Sequence, residues 1–328
     1  MHNIVVIGNI MVDIIVSLGK SIKVNNLIPG MSVNVENITI SHGGVGNIAT
    51  ALALLGNIVY LIGKCGNDYF GKEYVKELIK WKVRPLIDFD NKYCTGLVIS
   101  LIEKTGERTM FGYPGANQNL RKEHLLKVIC ELPEKIDSVF VDGYAMRLRS
   151  TAKNIIWFVQ MLKSRYDPTI FMDASLPTLP TQRVYYLDQL IEFSDVLFFN
   201  KEEALLYTKS TNVKESLKKF RELVHGDKII VIKLGSNGAL CLDLKTNSVV
   251  YAKAFKAKVI DTTGAGDAFN AAFIHMYLKG RNINKALVFA NWFAARTIEK
   301  YGARTFPSKE QVDRFLLKLN KREISHEI

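Results

Sequence analysis

The feature that most constrains this 328-residue chain is a regular alternation of apolar strand-like runs with amphipathic helices. From about residue 120 the pattern predicts helix 121–131, strand SVFVDG, helix 150–164, strand TIFMD, helix 183–192 and strand DVLFFN. It continues with helices 201–208 and 213–224, strand KIIVIKLG, a hairpin through 239–251 and helices 265–279, 283–299 and 309–319. Such alternation predicts an α/β fold with a doubly wound, mostly parallel sheet flanked by helices, here as one domain over residues 1–328.

The first 113 residues follow this alternation only in part. Strands at 3–7 and 58–63 and helices at 47–55 and 69–81 begin a βαβ rhythm. The remaining predicted strands are 12–17, 33–40 and a hairpin of 96–103 with 107–113. We expect these remaining segments, approximately 12–40 and 95–112, to form a small β-sheet that covers one edge of the main domain.

The charge and the apolar pattern exclude several classes of protein. The chain has 44 Lys and Arg against 32 Asp and Glu, a formal net charge of +12. These basic residues are dispersed, and in KESLKKFRE they alternate with Glu as on a solvated helix face, so we expect no nucleic-acid partner. No apolar stretch approaches the ~20 residues that a membrane helix needs. With no secretion signal and no C-x-x-C pair, the sequence favours a cytoplasmic location.

The segment DTTGAGDAFNAAF (261–273) carries the strongest indication of chemistry. The preceding KAKVI is predicted to end a strand, and the apolar spacing after it predicts a helix. Gly264 and Gly266 then lie at a helix N-terminus, where unpaired N–H groups and the helix dipole favour an anion. A carboxylate there, Asp267, is suited to take a proton from an alcohol that attacks a phosphate. The alternative is an ordinary N-terminal helix acid that follows a glycine turn.

Two distant glycine clusters together resemble the signatures of a known family. SHGGVGNIATALALLG (41–56) and DTTGAGDAFN (261–270) are similar to the two signatures of the ribokinase-like, or PfkB, sugar kinases. GNIMVD, NKEEALLY, IKLGSNGAL and ANWFAARTIEKYGA are similar to intermediate motifs of the same family, so the resemblance covers essentially the whole chain. It implies transfer of the γ-phosphoryl group of ATP to a hydroxyl of a sugar or sugar-like substrate.

The resemblance also assigns roles to individual residues. Asp267 is implied as the catalytic base, and the N–H groups of Gly264, Ala265 and Gly266 as an anion hole. Six residues are implied in substrate binding: Asp13, Gly43, Gly44, Asn47, Arg108 and Tyr113. Some of these positions have local alternatives, since Asn47 suits a helix N-cap and Arg108 suits a solvated surface.

A second set of residues is implied at the nucleotide and its metal. The nucleotide-binding residues are Asn200, Glu203, Lys233, Gly235, Gly238 and Asn291. Glu203 is implied to hold Mg²⁺ indirectly through water, with Mg²⁺ arriving largely with ATP. Asn200 and Glu203 also have the spacing of a capping box, a purely local stabiliser. Asp261 and Thr263 match positions at which some relatives bind a monovalent cation such as K⁺.

The resemblance leaves the substrate and the assembly open. In the family, segments equivalent to 12–40 and 95–112 form a β lid that closes over the sugar and often mediates a homodimer. A nucleoside kinase is the alternative within the enzymes, because Phe111 and Tyr113 in the lid could stack on a base. A nucleotide- or sugar-binding regulatory protein is the non-enzymatic alternative, although it would not need Asp267.

Overall fold

The computed structural model describes residues 1–19, 22–105, 107–176 and 184–321. In this part of the chain the β-strands are β1 Asn3–Ile7, β2 Ile10–Ser17, β3 Asn37–Gly44, β4 Ile58–Gly66, β5 Arg84–Asp90, β6 Gly96–Ile102, β7 Arg108–Tyr113, β8 Ser138–Asp142, β9 Thr169–Asp173, β10 Val196–Asn200, β11 Ile229–Lys233, β12 Ala239–Asp243 and β13 Ser248–Ala252. The α-helices are α1 Gly46–Leu54, α2 Tyr69–Lys80, α3 Lys122–Glu131, α4 Arg149–Tyr166, α5 Leu187–Phe193, α6 Lys201–Thr208, α7 Val213–Leu223, α8 Ala265–Gly280, α9 Ile283–Thr297 and α10 Lys309–Asn320. Among these helices none has the length and apolarity needed to cross a membrane.

A nine-stranded sheet forms the centre of the molecule, in the order β13-β12-β11-β10-β9-β8-β1-β4-β5. The seven strands from β11 to β5 run parallel, and β12 and β13 add an antiparallel edge. The chain builds outward from β1 in both directions, through β4 to β5 and through β8 to β11. The predicted doubly wound α/β fold is therefore confirmed, and its order reverses beside β1, where such folds bind their ligands.

The two faces of the sheet are covered by separate apolar layers. In β1, Ile4 and Val6 pack into a cluster with residues of α1, α8 and α9, whereas Val5 and Ile7 pack into one with residues of α3 and α4. Burial on both faces explains why β1 is a continuous apolar run without alternation. This packing on both faces also holds the strand ends in position, and therefore the loops after them, which carry the polar residues.

A smaller, four-stranded sheet has the order β3-β2-β6-β7. Residues at the same register point to the same face of a sheet. One cross-strand row consists of Asp13, Ser41, Val98 and Gly112. The adjacent row, on the opposite face, consists of Ile14, Ile40, Ile99 and Phe111. The sheet thus has one face with the polar Asp13 and one apolar face.

Several predicted elements differ from the structure. The strand expected at 33–40 begins only at Asn37. The segment KAKVI is not a strand: at its end the N–H groups of Ile260 and Asp261 donate to the Ile298 carbonyl, directly after α9. Strand β5 was not predicted, because a proline such as Pro85 is unfavourable in a central strand. In the structure β5 is an edge strand, where proline is tolerated. The predicted helix start at residue 183, and residues 20, 21 and 106 of the small-sheet segments, lie outside the described residues.

Candidate active site

Four neighbouring parallel strands end in polar side chains at one edge of the main sheet. Asp142 ends β8, Asp173 ends β9, Asn200 ends β10 and Lys233 ends β11. The loop after β1 joins this row, because the Asn9 N–H donates to Asp142 Oδ2 at 3.2 Å. Since carboxyl ends of parallel strands meet in the crevice beside the switch point, these groups line one concave site.

The N-terminus of α8 faces the same region. Gly264 caps the helix with φ +75°, and a Cβ there would lie 2.8 Å from the Ala303 carbonyl oxygen, so glycine is required. The Ala265 N–H donates to the Thr262 carbonyl at 3.2 Å. Gly266 lies in the first helical turn, where N–H groups have no intrahelical acceptor. This backbone can receive an anion, chiefly through the N–H groups at Gly264 and Gly266.

Asp267 follows these glycines in the first turn of α8. Its Oδ2 accepts a hydrogen bond from Asn47 Nδ2 at 3.1 Å. Burial raises the pKa of Asp267 to about 7, the Asn47 hydrogen bond opposes this rise, and the Asp173 and Asp142 carboxylates add to it. A carboxyl group with a pKa near neutrality beside an anion site is chemically suited to general base catalysis.

Lys233 supplies positive charge beside the glycines. Its Nζ donates to Asp173 Oδ2 at 2.7 Å and to Asn270 Oδ1 at 3.3 Å. The ammonium lies 3.7 Å from the position that a Cβ on Gly266 would occupy. Burial acts to lower the pKa of Lys233, but the Asp173 and Glu203 carboxylates outweigh it and raise the pKa. The side chain is therefore a fixed cation at this anion site.

Asn200 and Glu203 form a capping box at the N-terminus of α6, as their spacing in the sequence indicated. Asn200 Oδ1 accepts from the Glu203 N–H at 2.7 Å, and Glu203 Oε2 accepts from the Asn200 N–H at 2.8 Å. Burial, with the nearby Asp173 carboxylate, raises the pKa of Glu203 to about 7. The cap occupies Oε2 of Glu203, and a contact of this residue with a metal-bound water stays a prediction.

The other predicted nucleotide residues lie further along the sheet. Gly235 and Gly238 lie in the turn that follows β11. Asn291 on α9 is buried, and its Nδ2 donates to the Ala252 carbonyl at 2.8 Å. Its amide group therefore ties α9 to the end of β13, and a nucleotide contact by Asn291 stays a prediction.

Four of the six predicted substrate residues lie where β2 and β3 approach α1, namely Asp13, Gly43, Gly44 and Asn47. Asp13 lies over Gly43, since a Cβ on Gly43 would come within 2.1 Å of Asp13 Oδ2. Burial raises the pKa of Asp13 to about 6, opposed by the positive charge of Arg304. No hydrogen-bond donor in the described part of the chain reaches the Asp13 carboxylate, and its contact with sugar hydroxyl groups stays a prediction. Gly44 ends β3 three residues before Asn47 on α1.

The small sheet contacts the glycine loop through Arg108. Arg108 donates to Asp261 Oδ1 and to Thr263 Oγ1, both at 3.4 Å. Asp261 also accepts from Thr263 and from the Gly302 N–H, at 3.0 Å. Tyr113 and Phe111 belong to the opposite face of the sheet from Arg108, so the register separates them from Asp13.

Sequence reasoning missed several residues of this site. Asp142 had a usable signal, because it ends a predicted parallel strand, and Asn270 lies one helical turn after Asp267. Glu77 and Arg304 had none: Arg304 Nε donates to Asn47 Oδ1 at 3.1 Å, and its Nη1 to Glu77 Oε1 at 2.8 Å. These contacts join residues 257 and 227 positions apart in the chain.

Solved structures that share this fold include a ribokinase and a nucleoside kinase. A ribokinase of Giardia lamblia aligns with a TM-score of 0.81 and 21% identity, covering 96% of this chain and all of that one. A nucleoside kinase of Methanocaldococcus jannaschii aligns with a TM-score of 0.73 and 21% identity, over 98% of this chain and 99% of that one. At these identities the likeness establishes the fold. In sequence, a ribokinase of Bacillus subtilis strain 168 is 25% identical over 320 residues, 96% of this chain and 100% of that protein.

The matched relatives place the chain in the class of ATP-dependent phosphotransferases that have a hydroxyl group of a sugar as acceptor. A family profile described as pfkB family carbohydrate kinase matches residues 1–310. The chain belongs to this family, as the two glycine-rich signatures had indicated. Kinases of this type generally use ATP with Mg²⁺.

Proposed function

We propose that this kinase transfers the γ-phosphoryl group of ATP to a sugar hydroxyl, with Asp267 as the base. The observation that carries the proposal is the position of Asp267 directly after the glycines at the N-terminus of α8. In this mechanism Asp267 takes the hydroxyl proton as the oxygen attacks phosphorus and the bond to the leaving ADP oxygen breaks. The proton stays on the carboxyl group until the product leaves.

The negative charge that develops on the transferring group is held by the α8 N-terminus. N–H groups of the Gly264–Gly266 segment are directed at this charge, with Ala265 contributing least because its N–H bonds to Thr262. Lys233 neutralises further charge from a fixed position, because Asp173 and Asn270 hold its ammonium. Positioning and charge neutralisation supply most of the catalysis in phosphoryl transfer.

The metal fits the site only as a partner of the nucleotide. Among the described residues no three His, Cys, Asp or Glu side chains are grouped to hold a metal ion. Mg²⁺ bound with ATP would neutralise part of the negative charge of the phosphates. Glu203 would hold one of its waters through Oε1. A K⁺ site at Asp261 and Thr263 would rely on backbone oxygens, because four donor groups already use the Asp261 carboxylate.

We propose that the small sheet, segments 12–40 and 95–112, is the lid over the sugar. Its polar face carries Asp13, and Arg108 reaches from it to the glycine loop, as a closed lid requires. Its other face exposes Ile40 at 56% and Phe111 at 57% of their surface. A second copy of the chain that covers this apolar face would form the predicted homodimer.

A sugar is favoured over a nucleoside as acceptor. Phe111 and Tyr113, the aromatic residues that could stack on a base, lie on the face opposite Asp13. The relatives matched in sequence include a deoxyribokinase of Salmonella typhi, 25% identical over 325 residues. We therefore expect a free sugar or a close analogue to be phosphorylated.

The test is an ADP-release assay with Mg-ATP and a panel of acceptors. The panel contains ribose, deoxyribose, fructose, 2-keto-3-deoxygluconate, adenosine and cytidine. We expect release with a sugar, a loss of at least ~100-fold in kcat for Asp267→Asn, and a raised sugar KM for Asp13→Ala. Asp313→Asn, an exposed substitution on α10, is the control. Near-normal turnover by Asp267→Asn would refute the role of the base, and release with nucleosides alone would refute the sugar.

A further inference from the structure

A chain of side chains connects the small sheet to Asp267. Glu77 on α2 contacts His42 of β3 with one carboxylate oxygen and accepts from Arg304 Nη1 at 2.8 Å with the other. Arg304 Nε donates to Asn47 Oδ1 at 3.1 Å, and Asn47 Nδ2 donates to Asp267 Oδ2 at 3.1 Å. Five residues, on β3, α1, α2, α8 and the loop after α9, thus meet in one hydrogen-bonded line.

Arg304 is an unusual group to find at this position. Its side chain is only 9% exposed, and its guanidinium carbon lies 5.5 Å from the centre of the Tyr74 ring. Burial of a guanidinium is unfavourable unless carboxylates and other acceptors satisfy it. Glu77 supplies the charge partner, and Asn47 supplies a second acceptor. The contacts therefore fix both the position and the direction of Arg304.

The chemistry of the two partners of Asn47 determines how its amide is oriented. An amide has an acceptor oxygen on one side and a donor NH₂ on the other. Arg304 can only donate, so it holds the oxygen of Asn47 on its own side. The NH₂ group is then directed at Asp267, where it stabilises the ionised carboxylate. A rotated amide would instead place its oxygen against the carboxylate.

We propose that Arg304, held by Glu77, is a positioning residue that orients the Asn47 amide and thereby sets the hydrogen bond received by Asp267. The importance of this bond for turnover rests on the proposed role of Asp267 as base. Without Arg304 the amide loses its directing partner, and Asp267 loses a nearby positive charge. Both losses favour the protonated carboxyl group.

Other charges around Asp267 do not duplicate this effect. Asp142 and Asp173 face it from the strand ends, and both favour its protonated form. Lys233 favours the ionised form, but it is held by Asp173 and Asn270 rather than by Asn47. Asn47 is the residue that donates a side-chain hydrogen bond to Asp267 in the described structure. Removal of Arg304 is thus expected to act on Asp267 chiefly through Asn47.

The first test measures the carboxyl group itself and does not require turnover. Protein labelled with ¹³C at the Asp carboxyl groups is titrated by NMR, and the Asp267 signal is identified by its loss in Asp267→Asn. Arg304→Gln is expected to raise the Asp267 pKa by about one pH unit, the size of a lost hydrogen bond to a charged group. Arg314→Gln, an exposed arginine on α10, is the matched control and should leave it unchanged.

A double-mutant cycle separates positioning from a general structural effect. Asn47→Ala should raise the Asp267 pKa by a similar amount, and Arg304→Gln should add little in that background. Glu77→Gln should raise the Asp267 pKa by a smaller amount. This variant replaces Arg304→Gln in the test if Arg304→Gln does not fold. Unchanged Asp267 pKa in folded Arg304→Gln or Glu77→Gln protein, or full additivity with Asn47→Ala, would overturn the proposal.

Kinetics then distinguish this proposal from the proposed function. With a sugar acceptor, Arg304→Gln should lower kcat by about tenfold, leave the KM for ATP within about twofold, and move the acid limb of the kcat profile upward. A shifted Asp267 pKa in an enzyme that phosphorylates no acceptor would uphold the positioning role and reject the kinase assignment. If Arg304→Gln phosphorylates the sugar and the acid limb of its kcat–pH profile is unchanged, the positioning role is rejected and the proposed function stands.

Discussion

Replacement of Asp267 by Asn should stabilise the fold at alkaline pH while it abolishes activity. Burial raises the pKa of Asp267 from 3.8 to about 7. An acid with a raised pKa in the folded state contributes its full stability below the unfolded pKa, and this contribution is lost as the pH rises through the folded pKa. The ionised carboxylate is therefore a source of instability at pH 8, and the neutral amide of Asn is not.

The size of the effect follows from the pKa difference. About 1.4 kcal/mol for each pKa unit gives up to about 4 kcal/mol for a fully ionised Asp267, and 2 to 3 kcal/mol of this develops between pH 5 and pH 8. Because Asp267 is only half-buried, solvent screening reduces the effect. We expect Asp267→Asn to gain about 1 to 2 kcal/mol of unfolding free energy relative to the wild type over this pH interval.

Urea unfolding of the ligand-free protein at pH 5 and pH 8 measures this difference. Titrating groups distant from Asp267 are common to both proteins and cancel in the comparison. Asp313→Asn, which replaces an exposed carboxylate, should differ from the wild type in unfolding free energy by the same amount at both pH values. If the offset of Asp267→Asn is also independent of pH, the carboxylate is not desolvated, and the physical basis for Asp267 as a base at neutral pH is wrong.

Two further predictions concern the assembly and the cation. Ile40→Glu, on the exposed apolar face of the small sheet, should convert a dimer to a monomer in light scattering, whereas the exposed Lys318→Glu on α10 should not. A monomeric wild type would reject the dimer. Turnover should be faster in K⁺ than in tetramethylammonium at matched ionic strength if the loop at Asp261 and Thr263 binds a monovalent cation. Equal rates would reject that site.

The sequence predicted the fold well because periodicity reports burial directly. Strands such as SVFVD are buried at every residue, with an unbroken apolar centre, because helices cover both faces of the sheet, and the helices alternate with the strands at regular spacing. The same logic failed where tertiary context outweighed the local pattern. RPLIDFD became the edge strand β5 despite its proline, and KAKVI bonded to the end of α9 instead of to a strand.

From residue spacing alone the candidate site was predictable only where it is local in sequence, and distant residues such as Asp13 and Lys233 were implied by the family resemblance. The glycines and Asp267 are adjacent, and the Asn200–Glu203 box spans four residues, so spacing alone indicated both. Arg304 and Glu77 are brought to Asn47 by the packing of separate elements, and no sequence pattern predicts a hydrogen bond between residues 257 positions apart. The faces of the small sheet likewise depended on strand register, which the hairpin sequence did not reveal.

The proton affinity of Asp267 shows why these distant contacts matter. Burial beside Asp173 and Asp142 alone would drive the pKa of Asp267 upward, until the carboxyl group stayed protonated and could not accept a proton. A solvated helix acid would have the opposite defect, a pKa too low for effective proton transfer near neutrality. The Asn47 hydrogen bond and the Lys233 charge pull the value back to about 7. The glycine motif places the carboxylate at the anion site, but residues outside the motif adjust its affinity for the proton.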